Sequence, residues 1–227
     1  MKKAVKRRSP SSPRDMRTRP SLRDLAYEKI KHEIISLKVK PGEYLNEVQL
    51  STRLRIGRTP VHQALDRLMI EGMVEIMPRK GVIVKPVSLH EVMQLIEVRL
   101  LNETYCARLA AERASEQEID TFTRILASSH NAARTMDIER MMLLDREFHL
   151  LIAQTARNDI LGNLLGKLHD RSLRFWFISL TKRDHHRNVQ DEHMTIFKAI
   201  RSHDSDAAAN AMRYHIESFR RNLANYI

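Results

Sequence analysis

A chain of 227 residues, 42% of them hydrophobic, can fill one large core or two small ones, and 5% aromatics with 11 Met predicts mainly aliphatic cores. The net charge of +11 is unevenly placed: residues 1–86 carry 20 Lys and Arg against 9 Asp and Glu, whereas residues 87–227 balance at 19 each, which predicts a polyanion-binding front part and a neutral rear part with another task. A single cysteine, Cys106, excludes an internal disulfide framework and fits a reducing compartment; no apolar run is long enough for a membrane span, and the basic N-terminus lacks the apolar stretch of a secretory signal.

Residues 1–20 hold eight Lys and Arg, one Asp and three Pro with almost no apolar periodicity. They read as a disordered basic arm, either adding phosphate contacts or serving only as a solvated tail. Ser21 followed by Asp24 resembles a capping box, and Leu25, Ala26, Ile30, Ile34 and Ile35 follow at helical spacing. Pro41-Gly42 ends that stretch, Asn46 caps a short second helix to about residue 53, and Ile56-Gly57 is a turn. A third helix is predicted with Thr59 as N-cap, Pro60 in its first turn and a buried stripe of Val61, Ala64, Leu65, Leu68 and Met69. His62, Gln63, Asp66 and Arg67 lie off the stripe, and Gly72 stops the helix. Strand-like runs at 74–77 and 82–85 flank Pro78-Arg79-Lys80-Gly81. Two short helices, a tight turn and a basic hairpin predict a winged helix-turn-helix over residues 21–86.

Residues 87–227 read as helix throughout. Ser88 with Glu91 and Ser115 with Glu118 have capping-box spacing. A long first helix is followed by helices at about 117–135, 138–156, 160–180 and 189–203, and Asp204 caps a last one to about 225. Short connections predict an antiparallel bundle of about six helices, so the fold class is mostly α with one small β-hairpin.

Three stretches of the bundle carry chemistry. Asp145 and His149, four apart in LLDREFHLLIA, share one helical face among strongly apolar neighbours. His193 and His215 each sit in the middle of an amphipathic helix. Taken alone, each histidine reads first as a satisfied core or surface residue; three helices offering inward N and O donors is also how a transition-metal site is assembled. Among the other histidines only His169, in register with Leu165 and Ser172, is kept as a pocket candidate, and Trp176 reads as core.

Beyond periodicity, two segments carry recognisable motifs. Glu47…Leu50, Gly57-Arg58-Thr59-Pro60-Val61-His62-Gln63-Ala64-Leu65, Leu68…Gly72 and Gly81…Val84 resemble the DNA-binding domain of the GntR family of bacterial transcription regulators. Two positions depart: Gly57 stands where the family has Ser or Thr, and His62 where it has a second arginine. The resemblance implies DNA contacts from Arg58 first, with Thr59, His62 and Gln63 beside it and Arg79, Lys80 and Gly81 at the wing. Glu97-Val98-Arg99, Asp145…Phe148-His149, Glu192-His193…Ile196…Ala199-Ile200 and His215 resemble the FCD ligand-binding domain of the FadR branch. That resemblance implies a divalent ion, Zn²⁺ or Ni²⁺, held by Asp145, His149, His193 and His215. It also implies an effector carboxylate near Arg99, with Asn102 standing where the family has Glu; the other role open to Arg99 is a salt bridge to Glu97, to Glu103 or to a neighbouring helix.

Together these readings predict a non-enzymatic cytoplasmic regulator, a repressor at the nucleoid. It would bind a pseudo-palindromic operator in double-stranded DNA as a homodimer and answer to a small organic acid. The alternatives are a metal-dependent enzyme with a DNA-binding appendage, or an architectural DNA-binding dimer.

Overall fold

The structure, a computed structural model, describes residues 20–78, 81–86, 88–179 and 183–224, without the side chains of 174–179, 183–187, 223 and 224. The expected basic arm, all but its last residue, therefore lies outside the described residues, as do Arg79 and Lys80 at the wing tip and the side chain of Trp176.

The winged-helix part opens with α1 (Leu22–Ile35), where the Ser21 hydroxyl accepts the Asp24 N–H at 3.1 Å and donates to its carboxylate at 2.6 Å. A two-residue strand, β1 (Tyr44–Leu45), precedes α2 (Glu47–Leu54), whose first N–H groups are taken by the Asn46 side chain. Arg55 closes the turn in the left-handed region, at φ 55°. The next helix, α3 (Arg58–Ile70), starts one residue earlier than expected. Gly57 is its N-cap and its carbonyl accepts the Val61 N–H, so Thr59 lies inside the first turn, exposed, and caps nothing. Val61, Ala64, Leu65 and Leu68 are buried, Met69 is not, and Gly72 leaves the helix at φ +72°.

Strands β2 (Val74–Met77) and β3 (Gly81–Val84) pair antiparallel with Val74 opposite Val84 and Met77 opposite Gly81. The β1 strand adds to the other edge of β3, giving the order β1-β3-β2. Sequence periodicity gave no sign of β1, because two residues are too few to show alternation.

Behind the wing run α4 (Leu89–Arg113), α5 (Glu116–Thr135), α6 (Ile138–Thr155), α7 (Asp159–Ser179), α8 (Arg183–Arg201) and α9 (Ser205–Ala224). The long α4 is the spine: it packs against α6, α7, α8 and α9, while α5 covers α6 and α8. Phe122 and Phe148 meet edge to face at 5.6 Å in the core, both fully buried. The expected box at Ser88 does not form; Glu91 instead pairs with Arg171 and, at 3.3 Å, with Lys85, so ion pairs outcompete the cap. The box at Ser115 does form, with Glu118 accepting from the Ser115 N–H at 2.9 Å and hydroxyl at 2.7 Å. The α8 helix begins six residues before the expected 189, because the polar run before Val189 carries no apolar stripe to signal it. Among the described residues no helix is long and apolar enough to cross a membrane.

Candidate metal centre and nucleic-acid interface

Three helices deliver the four candidate ligands to one buried point. Asp145 and His149 come from successive turns of α6, His193 from α8 and His215 from α9, and all four side chains are buried. One ring nitrogen from each of the three histidines lies within 4.8 Å of the others. Asp145 Oδ1 stands 3.4 Å from His193 Nε2 and 4.0 Å from His149 Nε2. Those three atoms have no hydrogen-bond partner although solvent is excluded from them. Unpaired buried polar atoms are costly, so a convergent set of them calls for an electropositive guest.

The outward faces of two rings are occupied. His149 Nδ1 lies 2.9 Å from Glu103 Oε2, and His215 Nδ1 lies 2.7 Å from Glu192 Oε2. A carboxylate behind an imidazole fixes its tautomer and leaves the lone pair of the other nitrogen pointing inward, the arrangement that supports histidine ligands of metals. Among the described residues no carboxylate stands behind His193; its ring lies stacked on Phe148 with centroids 4.4 Å apart. Burial, with the neighbouring His215 adding to it, holds His193 well below its ordinary pKa and so keeps it neutral at pH 7. Burial alone would raise the Asp145 carboxyl. The close approach of His169, with the His149 and His193 imidazoles, outweighs it and holds the carboxyl below its ordinary pKa. Three imidazole nitrogens and one carboxylate oxygen suit Zn²⁺, Ni²⁺ or a similar divalent ion.

Arg99 lies at the edge of this centre. It is buried, and its Nε donates to Glu103 Oε1 at 2.5 Å. Burial opposes ionisation of Glu103, but the Arg99 and His149 charges hold its pKa well below the ordinary value. Arg99 lines a small space together with Asp145, Ser172, Glu192 and His215. A second, mostly apolar space lies on the other side of His149 and His169, against Cys106, Leu165 and Met212. Each has room for little more than one water. Asn102 is not brought to the site: its amide donates to the Val98 carbonyl one turn back, and it lines neither space.

His169, the pocket candidate, is buried on α7 with Nε2 3.3 Å from Asp145 Oδ2. The positions of Glu103 and Glu192 behind His149 and His215 were not read from the sequence. Their signals were the four-residue spacing from Arg99 to Glu103 and the Glu192-His193 neighbours, both of which are common in any polar helix.

In the winged-helix part, Arg58, Thr59, His62 and Gln63 are all exposed at the start of α3, and Gly81 is exposed at the start of β3 with φ +93°. His62 does not face outward alone. Its Nδ1 is 2.9 Å from Glu47 Oε1 on α2 and its Nε2 3.6 Å from Asp66, and the Glu47 hydrogen bond with these two charges raises its pKa.

Comparison with known proteins agrees with this architecture. Residues 22–84 match the bacterial regulatory proteins of the gntR family, and residues 94–218 match the FCD domain. The chain is 31% identical over 176 residues to the Nta operon transcriptional regulator of Aminobacter aminovorans, covering 77% of this chain and 82% of that protein. It is 26% identical over 191 residues to the HTH-type transcriptional repressor RspR of Escherichia coli K12, covering 84% of each. The solved structure of E. coli McbR/YncC superposes with a TM-score of 0.83 over 92% of this chain and 100% of that one, at 20% identity, a likeness of fold.

Proposed function

The chain belongs to the GntR family of bacterial regulatory proteins, as a regulator with an FCD domain, and from that premise we propose that it is a repressor whose DNA binding is governed by a metal-centred ligand site. The observation that carries this reading is the set of unpartnered buried atoms, Asp145 Oδ1, His149 Nε2 and His193 Nε2, converging with the inward edge of His215. Asp145, His149, His193 and His215 would hold the ion, Zn²⁺ or Ni²⁺. Bound there, a divalent ion supplies a Lewis-acidic anchor for an oxyanion. The residues around it do the rest: Glu103 and Glu192 orient two rings, Phe148 backs the third, and Arg99 offers a guanidinium edge to a small carboxylate effector. The relatives and matched families are transcription regulators, which supports binding rather than turnover as the task of this centre.

In the winged-helix part, Arg58, Thr59, His62 and Gln63 would meet the major groove, with Arg79, Lys80 and Gly81 at the wing. His62 reaches DNA with its charge already shared with Glu47, so it contributes direction more than affinity. One reader of this size covers only a few base pairs, so a dimer on a pseudo-palindromic operator is proposed, in the cytoplasm where the DNA lies. Val98, Leu101 and Tyr105 leave an exposed apolar stripe along α4 that a second copy would cover.

Chelator-stripped protein titrated with Zn²⁺ or Ni²⁺ against a chromophoric chelator tests the centre. One ion per chain is expected, with Asp145→Ala and His215→Ala weakening it by more than about tenfold. Equal affinity in the variants and the wild type would sink the assignment.

A further inference from the structure

Three consecutive residues of α7 point in three directions, as 100° per residue dictates. His169 faces inward to Asp145 Oδ2 at 3.3 Å. Asp170 faces the winged-helix part, where it pairs with Lys31 of α1. Arg171 faces the base of the wing: it pairs with Glu91, and its guanidinium lies 3.6 Å from where a side chain on Gly72 would begin. The α6 helix repeats the division, since Asp145 faces the centre while Arg146, the next residue, binds Asp170 through Nε at 2.6 Å and Nη2 at 3.3 Å.

From Lys31 the contacts continue to the end of α3. Lys31 is 5% exposed; its ammonium donates to Tyr27 Oη at 2.6 Å and lies 3.4 Å from Glu71. Tyr27 Oη donates to Glu71 at 2.6 Å, and Glu71 is the residue at which α3 ends. Arg67, one turn earlier on α3, lies 3.6 Å over the Tyr27 ring and 3.3 Å from Glu71. Every member therefore touches the next, from Asp145 to the helix whose first turn carries Arg58.

We propose that the largely buried cluster Arg146–Asp170–Lys31–Glu71, with Arg146 half-buried at its edge, is the coupling element that carries the state of the centre to α3. This rests on the metal reading of the preceding section. Burying such charges is a poor way to gain stability, since desolvation consumes most of the attraction; what it secures is one relative placement of α1, α6 and α7. An ion at the centre draws on Asp145 and, through Asp145 Oδ2, on His169. Each ligand-side residue is bonded to its outward neighbour through one peptide unit, so a rotation of α6 or α7 that seats the ion also moves Arg146 and Asp170 against Lys31. Only a difference in contacts between the two states can shift the equilibrium. This cluster ties α1 to α7 directly and to α6 through Asp170, beside a separate α1–α6 contact of His32 with Glu139 at 2.6 Å.

The test uses the full chain, stripped and then loaded with Zn²⁺ or Ni²⁺, followed by hydrogen–deuterium exchange. Loading is expected to change exchange in residues 22–35 and 64–73 by about fivefold or more, the low end of ordinary coupling. Asp170→Asn keeps the shape and removes the charge; Lys31→Met leaves Asp170 paired to Arg146 and breaks only the winged-helix half. Both variants should bind the ion as the wild type does and show the exchange change in α6, α8 and α9 but not in residues 22–35 and 64–73. Transmission undiminished in both variants overturns the proposal, and so does a wild type that binds the ion with no change in those segments. A wild type that binds no ion overturns the metal reading itself, which the parallel affinity titration reports separately.

Discussion

Glu103→Gln separates what holds the centre together from what holds the ion. Glu103 is buried, accepts Arg99 Nε at 2.5 Å and backs His149 Nδ1 at 2.9 Å. The amide fills the same volume and can still accept from one neighbour, but it leaves the buried guanidinium without a counter-charge. Removing one partner of a buried pair costs about 3–5 kcal/mol, and the remaining acceptor puts this case near about 3. For a chain of this length that is a fall in Tm of about 6–12 °C, read in the presence of chelator so that metal plays no part. Separately, His149 loses the carboxylate that fixes its tautomer, which should weaken metal binding by about 10- to 100-fold in a competition titration. An unchanged Tm would refute the buried-pair argument. Metal affinity within about twofold of wild type, against that 10- to 100-fold expectation, would refute the assignment of Glu103 as the support of a ligand.

Arg58→Ala should weaken binding to a duplex selected by the wild-type protein by about 1–3 kcal/mol without altering metal affinity, as followed by fluorescence anisotropy. Leu101 is 74% exposed, so Leu101→Glu should leave the fold intact and shift the sedimentation of the protein from dimer to monomer. Glu118 has its pKa lowered to about 2: burial opposes this, but hydrogen bonds from Arg157 and Ser115 prevail. A carboxylate depressed on folding adds stability that is complete above its unfolded pKa, about 4.5, and is lost as pH falls toward 2. Glu118→Gln should therefore lower urea-unfolding stability at pH 7, flatten the acid limb between those values, and differ little from the wild type near pH 2.

The fold was legible where the physics is local. The stripe Val61–Ala64–Leu65–Leu68, the glycine after α3 and the caps at Asn46 and Ser115 all depend on residues within a turn or two, and all are present. Thr59 misled because a threonine before proline looks like a cap, whereas Gly57 already provides the extended residue that begins α3. Ser88 and Glu91 misled because Arg171, eighty residues on, competes for the same carboxylate. At the centre, Asp145, His149, His193 and His215 could be picked out by resemblance and apolar surroundings. Their convergence was implied by that resemblance alone; periodicity does not carry it, since it depends on how α6, α8 and α9 pack. The Lys31–Asp170 pair has no sequence signal at all, because its members lie far apart in the chain and each looks like an ordinary surface charge.

X-ray absorption at the metal edge of the Zn²⁺- or Ni²⁺-loaded chain tests the central claim most directly. The account predicts a shell of only N and O donors near about 2.0–2.2 Å, with the outer scattering of three imidazoles that becomes two in His215→Ala. Sulfur from Cys106 in the shell, or a spectrum that His215→Ala leaves unchanged, would contradict it.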